Sequence, residues 1–172
     1  MATLIKERRI VSDNWRLLER GPSGELPQIP ASGEVIVPLA LWLARREELL
    51  AYPGKLGVWL DADEGPELVA SDVDRFDVIA VRFPKFGDGR GYSIARLLRE
   101  RYGYKGELRA IGDVLHDHLY FMEQCGFDAF APRDDQDARE ALAVFATFSD
   151  GYQTSALRPI PLFRRRLTAG MP

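Results

Sequence analysis

Between residues 35 and 150 one pattern recurs: a short apolar run, then apolar residues at helical spacing, then the next run. "EVIVP" leads into Leu39, Trp42, Leu43, Leu49 and Leu50, with Arg46 at the edge of that face. "KLGVWL" precedes a short helix expected near 66–73. "VIAVRF" precedes a helix from about 91 to 102 carrying Ile94, Leu97, Leu98 and Tyr102. "GELRAIGD" leads to a helix with Leu115, Leu119 and Met122. "DAFAPRD" leads to one with Ala138, Ala141, Leu142, Phe145 and Phe148, opened by an Asp137–Glu140 capping box. Strands alternating with helices at this spacing imply a parallel sheet with right-handed crossovers. The expected fold is α/β: an open or partial-barrel parallel sheet of about five βα units, with strands starting near residues 35, 56, 78, 107 and 128. A chain of 172 residues is too short for eight such units.

The flanks read differently. Residues 3–20 suggest a β-hairpin, with Ser12, Asp13 and Asn14 as its turn. Residues 21–34, rich in Gly, Pro and Ser, form a loop, and residues 158–172 an extended C-terminal tail. Residues 1–157 then make a single α/β domain. An open sheet has edges to cover, by the hairpin, by the tail or by a second copy, and a homodimer is expected.

Composition narrows the setting. A hydrophobic fraction of 46% furnishes a core, and a formal charge of −3 argues against binding nucleic acid or an anionic membrane. One cysteine allows no intramolecular disulfide and fits a reducing compartment. The longest apolar run, Val35–Ala44, contains Pro38 and is too short to span a bilayer. No secretory leader is legible, so a soluble cytoplasmic protein is expected.

In parallel sheets ligands collect at the carboxyl ends of the strands. Asp61, Asp63, Arg82, Lys85, Asp113, Arg133 and Asp134 fall there, with Arg109 earlier in its strand. These cations could hold an oxyanion such as sulfate, sulfite or phosphate, or could pair with the neighbouring carboxylates. The stretch "FPKFGDGRGYS", residues 83–93, strengthens the anion reading: it places Lys85, Asp88 and Arg90 among glycines where a strand becomes a helix. Its spacing completes neither a dinucleotide fingerprint nor a P-loop. Asp113 also reads as the N-cap of the following helix. Cys125 at a helix end reads as structural. His116 and His118 are two residues apart and point to different faces, so no metal site is expected, and His118 reads as partly buried.

The run "FPKFGDGRGYSIARLLRERYGYKGELRAIGDVLHDHLYFMEQCGFDAF", with "VPLALWLA" and "RRIVSDNWRLL", resembles an uncharacterised bacterial family, domain of unknown function 934. The resemblance implies genes encoded near assimilatory sulfite reductase, and a loose label of oxidoreductase for some members. It carries no established catalytic residues. Gly87 stands where relatives are expected to have Thr or Ser, which removes a hydroxyl contact. The resemblance points to Lys85, Asp88, Arg90, Tyr92, Ser93, Arg109 and Asp113 as positions to test; Gly89 and Gly91 complete the candidate anion site.

Three functions follow as expectations. The first is an accessory protein of assimilatory sulfite reduction with an oxyanion-binding rim. The second is a non-catalytic interaction module for sulfite reductase. The third is a nucleotide- or flavin-dependent oxidoreductase. The sequence names no cofactor and leaves open whether the chain is an enzyme.

Overall fold

The computed structural model describes residues 3–85, 87–146, 154–156 and 158–169. Five expected strands appear where the apolar runs placed them: β4 (Glu34–Pro38), β5 (Lys55–Leu60), β6 (Val78–Phe83), β7 (Glu107–Gly112) and β8 (Ala129–Phe130). They pair in parallel and in chain order. Three further strands, β1 (Thr3–Lys6), β2 (Arg9–Ser12) and β3 (Arg16–Leu17), belong to the same sheet. Its order is β2-β1-β8-β7-β6-β5-β4-β3, so the sheet has eight strands rather than about five, and the hairpin joins it antiparallel to β8.

That order forces curvature. β2 and β3 lie at opposite edges, yet only Asp13, Asn14 and Trp15 separate them in sequence. So short a connection reaches about 14 Å at most. The sheet therefore rolls into a curled half-barrel. Both edges expected to need cover are closed from within the chain: β1 caps β8 and β3 caps β4.

Strand alternation divides the side chains between two faces. Val35, Val37, Val58, Leu60, Ile79, Val81, Leu108 and Ala110 face the convex side and join the main core with the helices. These helices are α1 (Leu39–Ala44), α2 (Arg46–Leu50), α3 (Arg90–Glu100), α4 (Leu119–Gln124) and α5 (Ala138–Val144). Sequential parallel pairing with crossovers of one hand puts them on one face. The concave face carries Ile36, Trp59, Val78, Ala80 and Ile111, packed by Trp15, Leu17 and Ala131.

Several local expectations change. The hairpin turns at Glu7 and Arg8, not at 12–14; both have positive φ, 49° and 60°. A two-residue turn of this hand favours Asn-Gly, which the sequence lacks. Tertiary bonds hold it instead: Arg8 donates twice to Glu123, both at 2.8 Å, and the Glu7 amide donates to the Asp128 carbonyl. The helix expected over 39–50 breaks at Arg45 into α1 and α2, and the one near 66–73 is two 3-10 stretches, Pro66–Leu68 and Ala70–Arg75. The tail is not extended throughout. After Pro161 it forms α6 (Leu162–Ala169), a run of strong helix formers that begins as the proline constraint ends. Asp137 does cap α5, accepting from the Arg139 amide; Phe148 lies outside the described residues.

Residues 13–20 cross the concave side and are pinned there. Asp13 accepts from Arg109 on β7 at 2.9 Å. The Trp59 indole on β5 donates to the Leu18 carbonyl at 2.9 Å, and Glu19 accepts from Arg82 on β6. Arg109 is only 3% exposed, and its other carboxylate partner, Glu107, also holds Lys6 of β1 at 2.8 Å. Removing one member of a buried ionic set strands the others. Arg109→Ala is expected to lower unfolding free energy by about 3–5 kcal/mol in urea titration, and a loss below about 1 kcal/mol would contradict this account.

Candidate functional site

At the end of β6, Phe83 and Pro84 lead into the glycine turn and then α3. Gly87, Gly89 and Gly91 all avoid positive φ, so none serves a left-handed turn. Gly91 answers a packing demand: a Cβ there would come within 2.7 Å of the Phe83 ring. Its smallness lets α3 start directly against the strand it follows.

Asp88 sits where an external anion would approach the start of α3. It accepts the Arg90 amide at 3.1 Å and the Arg90 guanidinium at 3.0 and 2.6 Å. The bond from the Arg90 side chain, then the backbone amide, hold the Asp88 carboxyl down to about 2. Asp61 and Asp63 also act on the Arg90 charge across the β5–β6 end. Lys85 is exposed, makes no ion pair among the described residues, and lies near enough to Asp88 to favour its anion. Ser93 is exposed on α3.

The rest of the rim is laced with ion pairs. Arg82 meets Glu19; Arg20 meets Asp61 at 2.9 Å and Glu64 at 3.6 Å; Arg133 meets Asp113 at 2.8 Å and also Asp135. The Arg20 and Arg82 guanidinia both lie over the Trp59 ring, 4.8 and 4.0 Å from its centroid. Asp113 thus ties the ends of β7 and β8 through Arg133. It is not an N-cap, since the 3-10 helix His116–His118 starts at Leu115 without a side-chain cap. Gly112 makes this possible: its φ is +89°, a Cβ would meet the Phe83 carbonyl at 2.5 Å, and the Asp113 amide donates to that carbonyl at 2.7 Å.

The nine candidate positions therefore do not form one cluster. Lys85, Asp88, Gly89, Arg90, Gly91, Tyr92 and Ser93 share the turn and the start of α3. Asp113 belongs to the Arg133 pair, and Arg109 is sealed in the concave interior. His116 Nδ1 meets Gln136 Oε1 at 2.5 Å, His118 is half-buried, and among the described residues no group of three or more His, Cys, Asp or Glu could hold a metal ion. Cys125 is buried, and burial is the leading cause that pushes its thiol up. No helix among the described residues is long and apolar enough to cross a membrane.

Beside the turn is a feature the sequence reading missed. The Tyr92 ring rests on Phe83, centroids 5.1 Å apart, and meets Phe121 of α4 edge-on at 4.9 Å. Phe121 is 56% exposed. Its place in a helix outside the Leu119–Met122 stripe was the available signal.

The model of a family described as bacterial protein of unknown function, DUF934, matches residues 57–163. The chain belongs to this family. The DUF934 match runs from β5 into α6 and takes in the glycine turn and the Tyr92–Phe121 pair, while β1 to β4 precede it. No curated protein and no solved structure matches the chain.

The Asp88 carboxyl supplies the sharpest check on this geometry. Its depressed pKa means a contribution to stability that is present above the ordinary aspartate range, near 4, and lost as pH falls through about 2. Carboxyl-detected NMR titration is expected to give a midpoint near 2 for Asp88, returning towards roughly 4 in Arg90→Ala. An unchanged midpoint in that variant would show that Arg90 is not the cause.

Proposed function

We propose that this DUF934 chain is an accessory protein of assimilatory sulfite reduction that acts as an interaction module, docking on sulfite reductase through the Tyr92–Phe121 face. The carrying observation is the aromatic pair itself: Phe121 is largely exposed, yet its ring is held edge-on by Tyr92, which is braced on Phe83 of the sheet. A rigid exposed aromatic loses little freedom on binding and is the kind of residue that dominates interfaces. The Asp88–Arg90 pair and the Arg96–Glu100 pair at 2.9 Å flank it as a polar rim. The partner follows from what the family resemblance implies, genes beside assimilatory sulfite reductase.

The test is surface-immobilised sulfite reductase from the same organism titrated with the chain. Phe121→Ala removes an anchor worth about 2 kcal/mol, so affinity is expected to fall by roughly 30-fold, while the thermal midpoint stays near wild type because the ring packs mainly in the open. Equal binding by both proteins, or none by wild type, would reject the reading.

A second reading, oxyanion binding at the turn, is favoured by the exposed Lys85 near Asp88 and by the Arg90 guanidinium and amide that Asp88 engages. An incoming sulfite, sulfate or phosphate would have to displace Asp88 from Arg90. Calorimetry is expected to show binding weakened by roughly tenfold in Lys85→Ala and in Arg90→Ala. No heat from wild type at millimolar anion would eliminate this reading.

A further inference from the structure

The hairpin that caps β8 has an outer edge of its own, because β2 (Arg9–Ser12) ends the sheet. Bonds in an antiparallel pair alternate, and a two-residue turn starts the alternation at the pair that closes it. Lys6 and Arg9 close the turn, so Arg9 and Val11 bond to β1 while Ile10 and Ser12 direct their N–H and C=O groups outward. No residue among those described bonds to these outward groups.

Two side-chain rows reach this edge, one on each face. On the core face the register aligns Leu60, Val81, Ala110, Phe130, Ile5 and Ile10. The first five are at most 1% exposed, whereas Ile10 is 45% exposed. On the concave face the neighbouring row runs Arg109, Ala129, Lys6, Arg9. Glu107 and Asp13 balance Lys6 and Arg109. Arg9 is exposed, stands opposite the like charge of Lys6 and makes no ion pair among the described residues.

We propose that the β2 edge receives an extended acidic segment of another protein as an added strand, with an apolar residue beside Ile10 and a carboxylate beside Arg9. Main-chain bonds to Ile10 and Ser12 supply the pairing, and the two rows supply the selectivity. Neighbouring positions of a strand fall on opposite faces, so the partner carries its acid and its apolar residue next to each other in sequence. The acid is the discriminating group, since an opposite charge directly across a strand pair is favourable and a like charge is not. A second copy of β2 meets only half of this requirement: its Arg-Ile-Val-Ser run offers apolar residues and no carboxylate. A cation on an edge strand also keeps like edges apart. The edge shares no residue with the Tyr92–Phe121 face, so strand addition and docking on sulfite reductase are tested separately.

The probe is a capped peptide of alternating Val and Glu, titrated into the full chain by calorimetry and followed by amide hydrogen exchange. The peptide is expected to bind, and the Ile10 and Ser12 amides should exchange roughly tenfold more slowly, or slower still, when it saturates the chain. The matched peptide of Val and Lys should bind roughly tenfold more weakly or not at all. Ile10→Pro removes an outward N–H while leaving the bonds to β1 in place, so it should abolish binding with the thermal midpoint near wild type. Arg9→Glu should reverse the preference, losing the Glu peptide and gaining the Lys peptide, and this exchange decides the matter even where Ile10→Pro does not fold. No binding of either peptide to wild type, equal binding of both, binding untouched by Ile10→Pro in a folded protein, an unreversed preference in Arg9→Glu, or Ile10 and Ser12 amides protected by self-association of the chain alone would overturn the proposal.

Discussion

Arg109 is the contact on which the architecture turns. Its guanidinium, buried on the concave face of β7, reaches Glu107 on its own strand and Asp13 on the segment that crosses from one sheet edge to the other. Glu107 in turn holds Lys6 of β1. The central strand, the hairpin and the crossing segment are thereby drawn to one charge. An ionic set in such a place gains little net energy over an apolar one, because desolvation offsets much of the attraction. What it supplies is direction, since a guanidinium donates to its carboxylates only along the fixed directions of its planar fork.

The carboxyl ends of the strands follow a related logic. Arg82, Arg20 and Arg133 each close on carboxylates brought in from other segments, and Asp88 occupies the opening of α3. Exposed pairs of this kind contribute little to stability one by one. Collectively they determine what the surface offers a visitor: alternating charge rather than a field of one sign. An exposed aromatic ring standing among such neutralised pairs is an apolar feature of that end, which is why Phe121 and not a cation carries the proposed contact.

Much of the sheet could be read directly from the residues. The starts of β4 to β8 fall within one residue of the apolar runs, because strands buried on both faces leave a continuous apolar signature. β1 to β3 were legible only in part. A hairpin was expected in residues 3–20, but its two strands are Thr3–Lys6 and Arg9–Ser12 rather than the segments flanking 12–14, and its turn lies at Glu7–Arg8, where Arg8 bonds to Glu123, a residue 115 positions away. Arg16–Leu17 is too short to announce itself, and it is a strand because β4 offers an edge. The glycine turn was correctly located as a junction, yet the reason for Gly91 is the Phe83 ring, which no local pattern encodes. Arg109 looked like a rim residue until the crossing of residues 13–20 placed it inside.

The pairing of β1 with β8 has a consequence for biosynthesis. Ile5 lies opposite Phe130, so β1 leaves the ribosome long before β8, the strand that gives it a place in the sheet. β4 to β7 can add one after another as each helix emerges, whereas the hairpin carries an unmatched edge throughout that interval. Chain topologies closed by such distant segments fold slowly and expose partner-seeking edges meanwhile. Until residue 130 has been synthesised, the β1 edge that faces β8 therefore has no partner within the sheet.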